Sequence, residues 1–268
     1  MVQQKEPSVL SKWVDLKQSQ GKYFFTSEET YRELKISEAA FRKSVSRLAI
    51  KNRIVRVHND FYIVVPLEYA ARGVLPPEWF IDDLMRYLEQ PYYVGLLSAA
   101  SLYGAAHQQP QQYQVVTVRS LREARLKDLA IRFFVKKKVS ATSVQRIKVQ
   151  TGYITVSSPE ATAIDLVRYA RAIGGLDTVF SVLQELGERL EPEKLVEGVQ
   201  QDGNIANAQR LGWLLDEAGF SKITGPLGNW IAEKKPFPAK LEASLSVKGA
   251  KTDSRWRVIV NTTVEGES

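Results

Sequence analysis

Residues 37–66 read SEAAFRKSVSRLAIKNRIVRVHNDFYIVVP. Ser37 can cap a helix in which Val45 and Leu48 fall within about 40° of Phe41 at roughly 100° per residue, an apolar stripe that can dock on neighbouring helices. Arg42, Lys43, Ser46 and Arg47 take the opposite side, about 100° to 240° from Phe41. Ala39 and Ala40 keep the first turn slim. A slim, basic, hydrogen-bonding face suits the major groove of DNA, where arginine can donate two bonds to one guanine edge. After Lys51 come two β-prone runs, 54–58 and 61–65, around the turn-forming pair Asn59-Asp60, and Pro66 stops the second. Arg53, Arg56, His58 and Asn59 are then placed to reach phosphate or the minor groove as a wing. The plainer reading is a solvated surface helix followed by an ordinary hairpin.

Working outward towards the N-terminus, residues 8–20 (SVLSKWVDLKQSQ) put Val9, Leu10, Trp13, Val14 and Leu16 near one helical face, and Gly21 ends the helix. Residues 23–25 form a short β-prone run. Thr26 and Ser27 offer caps for a second helix, with Glu28 and Glu29 favourable in its first turn, reaching Leu34. Helix, strand, helix, tight turn, helix and hairpin is the element order of a winged helix-turn-helix. A DNA-binding domain is expected over residues 1–75.

The stretch 67–77 (LEYAARGVLPP) carries the Gly and paired prolines of a boundary. Beyond it, residues 76–268 read as a larger domain of mixed α and β, so the expected class is α+β. Amphipathic or apolar helices are expected at 78–88 and 94–103, and short strands at 114–118, 131–135, 147–150 and 153–156. Ser158-Pro159-Glu160 starts a helix to about residue 171, and Gly174-Gly175 breaks it. Helices follow at 176–190, 192–200 and 205–218. The tail is expected to alternate loop and strand, ending at 256–260.

The chain has 268 residues, with 37 Lys+Arg against 30 Asp+Glu, net +7. The excess is localised: residues 1–73 hold 13 basic and 8 acidic side chains, and residues 111–150 hold 10 basic and 2 acidic. Two concentrated basic segments are the pattern of a polyanion binder. Within the second, Arg119, Arg122 and Arg125 lie three apart and a short helix would align them; Lys136, Lys137 and Lys138 follow in a loop. Together they read as a secondary phosphate patch, or equally as a solubilising surface.

Several classes of chemistry lack their residues. There is no cysteine, which removes disulfides, thiolate metal sites and cysteine nucleophiles. Of the two histidines, His58 falls at a hairpin tip, a poor place to hold a buried base, and His107 follows a helix end with no nearby acid. Ala172-Ile173-Gly174-Gly175 lacks the Lys and spacing of a phosphate loop. Asp165 sits beside Leu166 and Val167, as a helix-packing residue would, and Glu242 is solitary. No catalytic residue, metal or cofactor is expected, so the chain does not read as an enzyme. No apolar run reaches the roughly 20 residues that span a bilayer, and the N-terminus MVQQKEPS lacks the apolar core of a signal peptide, so no membrane partner and a cytoplasmic address are expected.

Four ordered stretches resemble the AbiE-type (AbiEi) antitoxins of type IV toxin–antitoxin pairs: 41–66 (FRKSVSRLAIKNRIVRVHNDFYIVVP), 92–118 (YYVGLLSAASLYGAAHQQPQQYQVVTV), 156–169 (VSSPEATAIDLVRY) and 210–219 (RLGWLLDEAG). The resemblance covers about residues 20–220. It implies an N-terminal DNA-binding domain, a larger antitoxin domain, and transcriptional repression of the protein's own operon through double-stranded operator DNA. It also implies a cognate nucleotidyltransferase toxin, counteracted without need of a stable complex. Two other functions stay open on the residues alone: a nuclease-like enzyme targeted by a winged helix, and a ligand-sensing transcription regulator.

Overall fold

A computed structural model describes residues 8–105 and 112–266; His107 lies outside the described residues. The first unit is built on short polar caps. Ser8 Oγ accepts from the Ser11 N–H where α1 (Val9–Ser19) begins. Strand β1 (Phe24–Thr26) ends in Thr26, whose hydroxyl accepts from the Glu29 N–H at the start of α2 (Ser27–Leu34). Lys35 closes α2 in the left-handed conformation, and Ser37 then caps α3 (Glu38–Ile50) through the Ala40 N–H. Each cap satisfies a donor that a helix start leaves orphaned. Strands β2 (Ile54–His58) and β3 (Phe61–Val64) pair antiparallel, and β1 joins the far side of β3.

The faces of this small sheet have different fates. One packs under the helices with Leu10, Trp13, Val14, Phe41 and Leu48, where Phe25 stacks on Tyr62 at 5.2 Å between ring centroids. The other contributes Val57, Phe61 and Ile63 to the main core of the rest of the chain. The expected boundary at 67–77 is therefore a packed seam rather than a slack connector. Val74, Leu75 and Pro77 are buried, and Trp79 sets its edge against Tyr23 at 5.0 Å and Tyr69 at 5.3 Å. Lys127 Nζ donates to Asn52 Oδ1 at 2.9 Å across the seam.

Beyond it, α4 (Ile81–Tyr87), β4 (Tyr92–Val94) and α5 (Leu96–Leu102) lead into a six-stranded mixed sheet. Its other strands are β5 (Gln112–Thr117), β6 (Ala124–Leu126), β7 (Leu129–Val135), β8 (Val144–Val149) and β9 (Gly152–Ser157), in the order β6-β7-β5-β4-β9-β8. The pairs β5–β7 and β4–β9 are parallel. Helices α6 (Pro159–Arg168), α7 (Leu176–Leu186), α8 (Pro192–Asp202) and α9 (Ile205–Glu217) follow as the caps and breakers predict.

The tail departs from expectation. It contains α10 (Gly225–Lys234), where loop and strand are expected. Two glycines and a proline give GPLGNWIAEK poor intrinsic helix propensity; tertiary packing of the fully buried Leu227 and Ile231 holds it instead. Strands β10 (Ala239–Lys240), β11 (Lys251–Asp253) and β12 (Val258–Val260) complete the fold. The whole is a mixed α+β architecture. Among the described residues, no helix is long and apolar enough to cross a membrane.

Candidate nucleic-acid interface

Helix α3 buries Phe41 and Leu48 and leaves Arg42, Lys43, Ser46 and Arg47 exposed. Arg42 pairs with Glu38 one turn earlier, in solvent, where such a pair is worth little and breaks readily for a better partner. The basic face is thus offered without a structural duty of its own.

At the hairpin, a register shift falls between Arg56 and His58, and such a bulge re-aims the side chains around it. Arg56 Nη2 donates to Asn59 Oδ1 at 3.0 Å, and Arg56, His58 and Asn59 are all exposed. Tyr87, from α4, supports the tip: its hydroxyl donates to the Asn59 carbonyl at 3.1 Å and its ring lies 6.4 Å from His58. Burial, with Asp60 and Glu28 nearby, pushes the Tyr87 phenol above its ordinary value, so it stays a donor. Sequence reasoning had no signal for Tyr87, which comes from beyond the expected boundary. Arg53 behaves differently from the other wing residues. It is folded back onto α1, donating to Asp15 at 2.7 Å with its side chain 18% exposed, so it braces the unit rather than lining the hairpin surface.

The second basic segment separates into three fates. The expected short helix through Arg119, Arg122 and Arg125 is absent: residues 119–123 are irregular, and 124–126 form edge strand β6 against β7. The intervening Lys127-Asp128 turn, with Lys127 at φ 53°, makes a hairpin there, and the buried Leu126 anchors it. Arg122 and Arg125, together with Arg56, Val57, His58 and Asn59, line one open cleft of about 680 Å³. Two segments that are separate in sequence therefore share one surface. Glu123 also lies there, bound to Arg125 at 2.7 Å.

Arg119 leaves β5 at the opposite end of the sheet, where the Lys136 N–H bonds the Thr117 carbonyl. From the residue facing Arg125 to Lys136 is six positions along β7, or roughly 20 Å of strand. Lys137 and Lys138 are exposed at that far end. Lys136 leaves the expected patch altogether: it is 8% exposed and turned inward.

Its partners form a buried polar cluster. Lys136 Nζ donates to Asp165 at 2.8 Å and lies 3.4 Å from Asp202. The Tyr93 hydroxyl donates to the other Asp165 oxygen at 2.6 Å, and Arg168 pairs with Asp202 at 2.6 Å. Burial pushes the Asp165 carboxyl above the usual carboxylate range, against the opposing pull of Lys136 and Tyr93. A strand-end lysine beside two carboxylates has the composition of a nuclease centre, but here each charge is spent on another within the core. Among the described residues, no group of three His, Cys, Asp or Glu side chains is placed to hold a metal ion.

The chain superposes on the RV2827C protein from Mycobacterium tuberculosis with a TM-score of 0.67 at 14% identity, covering 95% of this chain and 92% of that one, which establishes a shared fold. An antigenic nucleotidyltransferase-like protein from Paracoccidioides brasiliensis aligns over 55% of this chain and 88% of its own, at a TM-score of 0.33 and 7% identity. No curated protein sequence matches. The family model described as AbiEi antitoxin C-terminal domain matches residues 93–217, a span that runs from Tyr93 through the buried Asp165 cluster to the end of α9. Over that span the chain is similar to the AbiEi antitoxin C-terminal domain.

Proposed function

We propose that the chain is an antitoxin of a type IV toxin–antitoxin pair that also binds double-stranded DNA and represses its own operon. In this reading residues 1–75 are a winged helix-turn-helix. Helix α3 presents Arg42, Lys43, Ser46 and Arg47 to base edges, and Arg56, His58 and Asn59 follow the backbone. Residues 76–268 carry the antitoxin activity against a nucleotidyltransferase toxin and perform no catalysis.

The observation that carries the DNA reading is the shared cleft. Arg122 and Arg125 stand beside the hairpin tip, so phosphate contacts can continue from the wing onto the second domain without a change of surface. Phosphate neutralisation supplies most of the salt-dependent affinity, and base contacts supply specificity. The antitoxin reading rests on the family match over residues 93–217.

Both halves are testable. Labelled DNA from immediately upstream of the reading frame should shift with the purified protein and resist excess random duplex. Expression of the chain should rescue growth of cells making the toxin encoded beside it. Equal affinity for upstream and random DNA removes repression from the reading; failure to rescue removes the antitoxin.

A further inference from the structure

Phe237 is 92% exposed, although phenylalanine ordinarily buries its ring. Its backbone is nonetheless firmly held. Pro236 and Pro238 flank it; proline fixes its own φ and keeps the residue before it extended. Gln209, on α9 and 1% exposed, donates through Nε2 to the carbonyls of Phe237 at 3.1 Å, Trp256 at 3.1 Å and Arg257 at 2.9 Å. The Ala239 N–H bonds the same Arg257 carbonyl at 2.9 Å. One buried amide therefore fixes the backbone of Phe237 beside that of Arg257, which belongs to the turn between β11 and β12.

The surroundings of the ring are cationic. Lys235 and Arg257 are both exposed, and neither forms an ion pair among the described residues. Arg257 holds φ at 52°, a left-handed conformation that strains a non-glycine residue, and such strain collects at binding sites. Residues 234–251 carry Lys234, Lys235, Lys240, Lys248 and Lys251 against Glu242 as their single acid. This third basic segment lies within a tail that is otherwise part of the acidic remainder of the chain.

At this exposure neither face of the ring is covered, so a planar group can lie flat on it. Proteins hold unpaired strands in this way: bases stack on aromatic side chains while cations follow the phosphates. Bases in a duplex are already stacked on one another. We propose that Phe237, Lys235 and Arg257 form a binding site for single-stranded nucleic acid, with one unpaired base on the ring and the adjoining phosphates on the two cations. The inference does not depend on the reading of α3, which addresses paired bases.

The test uses the full chain with labelled twelve-nucleotide oligo(dT) and oligo(U), followed by fluorescence anisotropy; the tighter of the two identifies DNA or RNA as the source of the strand. Saturable binding of at least one is expected. Phe237→Ala should weaken it about fivefold or more, the worth of one stacked base, and change duplex affinity by less than about twofold. Phe237→Leu, apolar but unable to stack, should lose as much, whereas Phe237→Trp should retain affinity and show its added emission quenched on binding. Lys235→Gln with Arg257→Gln should flatten the dependence of log K on log salt by up to about 1.4 units, for two single-strand phosphates. Phe237 touches solvent almost entirely, so its variants keep the fold. Absence of saturable binding to both oligomers overturns the proposal, as does parental affinity in Phe237→Ala. Parental affinity in Phe237→Leu overturns it in favour of an apolar contact with another protein.

Discussion

Replacing Lys136 with methionine keeps most of the aliphatic stem and deletes the charge that lies between Asp165 and Asp202. Asp202 retains Arg168 at 2.6 Å. Asp165, fully buried, is left with the Tyr93 hydroxyl as its side-chain donor among the described residues. Removing one partner of a buried ion pair costs about 3–5 kcal/mol, because the other charge stays desolvated. For a chain of this size, that lowers the melting temperature by roughly 6–15 °C. The pH dependence gives a sharper signature. The Asp165 carboxyl in the folded protein is already raised, so the folded state holds its proton more tightly than the unfolded state. Stability from this group is then lost as pH rises from the unfolded to the folded value. Deleting Lys136 lifts the folded value further. The deficit of the variant against its parent is therefore greatest above that window and shrinks as the solution is acidified towards the carboxylate range. Urea unfolding of both proteins between about pH 5 and pH 8 measures this difference directly. A variant within about 1 kcal/mol of its parent, or a deficit that ignores pH, refutes the account of Lys136 as the compensating charge.

Arg42→Ala and Arg47→Ala should each cost about 1–3 kcal/mol in affinity for upstream DNA and less on random duplex, measured by fluorescence anisotropy. Arg122→Ala with Arg125→Ala should flatten the dependence of log K on log salt by up to about 2 units and leave base preference unchanged. Arg119→Ala with Lys137→Ala, at the other end of the sheet, should leave that slope alone. Gly212→Ala places a methyl 2.1 Å from the Trp256 ring, which is 1% exposed and bonded through its indole N–H to Asp216. Overpacking of this kind costs about 1–3 kcal/mol, and Trp256 fluorescence should report its displacement before global unfolding.

The first 65 residues were legible because their signals are local. Ser8, Thr26 and Ser37 each sit three residues before the N–H they accept, so a cap can be read from its neighbours alone. The Asn59-Asp60 turn is equally local. Strands β4 and β6, of three residues each, carry too little periodicity to detect, and the partners of β4 are distant in the chain. The three-residue spacing of Arg119, Arg122 and Arg125 suggested a helix, but pairing of residues 124–126 with β7 prevailed. Lys136 was hidden in a run of three lysines that reads as surface. Its partners lie 29 and 66 residues away, and only the folded sheet reveals them. The same holds for Tyr87 under the hairpin tip, whose contact with Asn59 spans 28 residues.

The seam has a consequence for how such proteins can be recombined. Phe61 and Ile63 are fully buried in the core of the larger domain, and Lys127, Trp79 and Tyr87 all reach back onto the first unit. Two domains on a flexible tether would find a common ligand by effective concentration, and each could be exchanged for a homologue's. Here the heads cannot be shuffled at residue 75. A chimera cut there would strand apolar strand residues against a foreign surface and lose the brace at Asn59. The smallest transplantable piece runs past α4 and takes the complementary face of Lys127 with it.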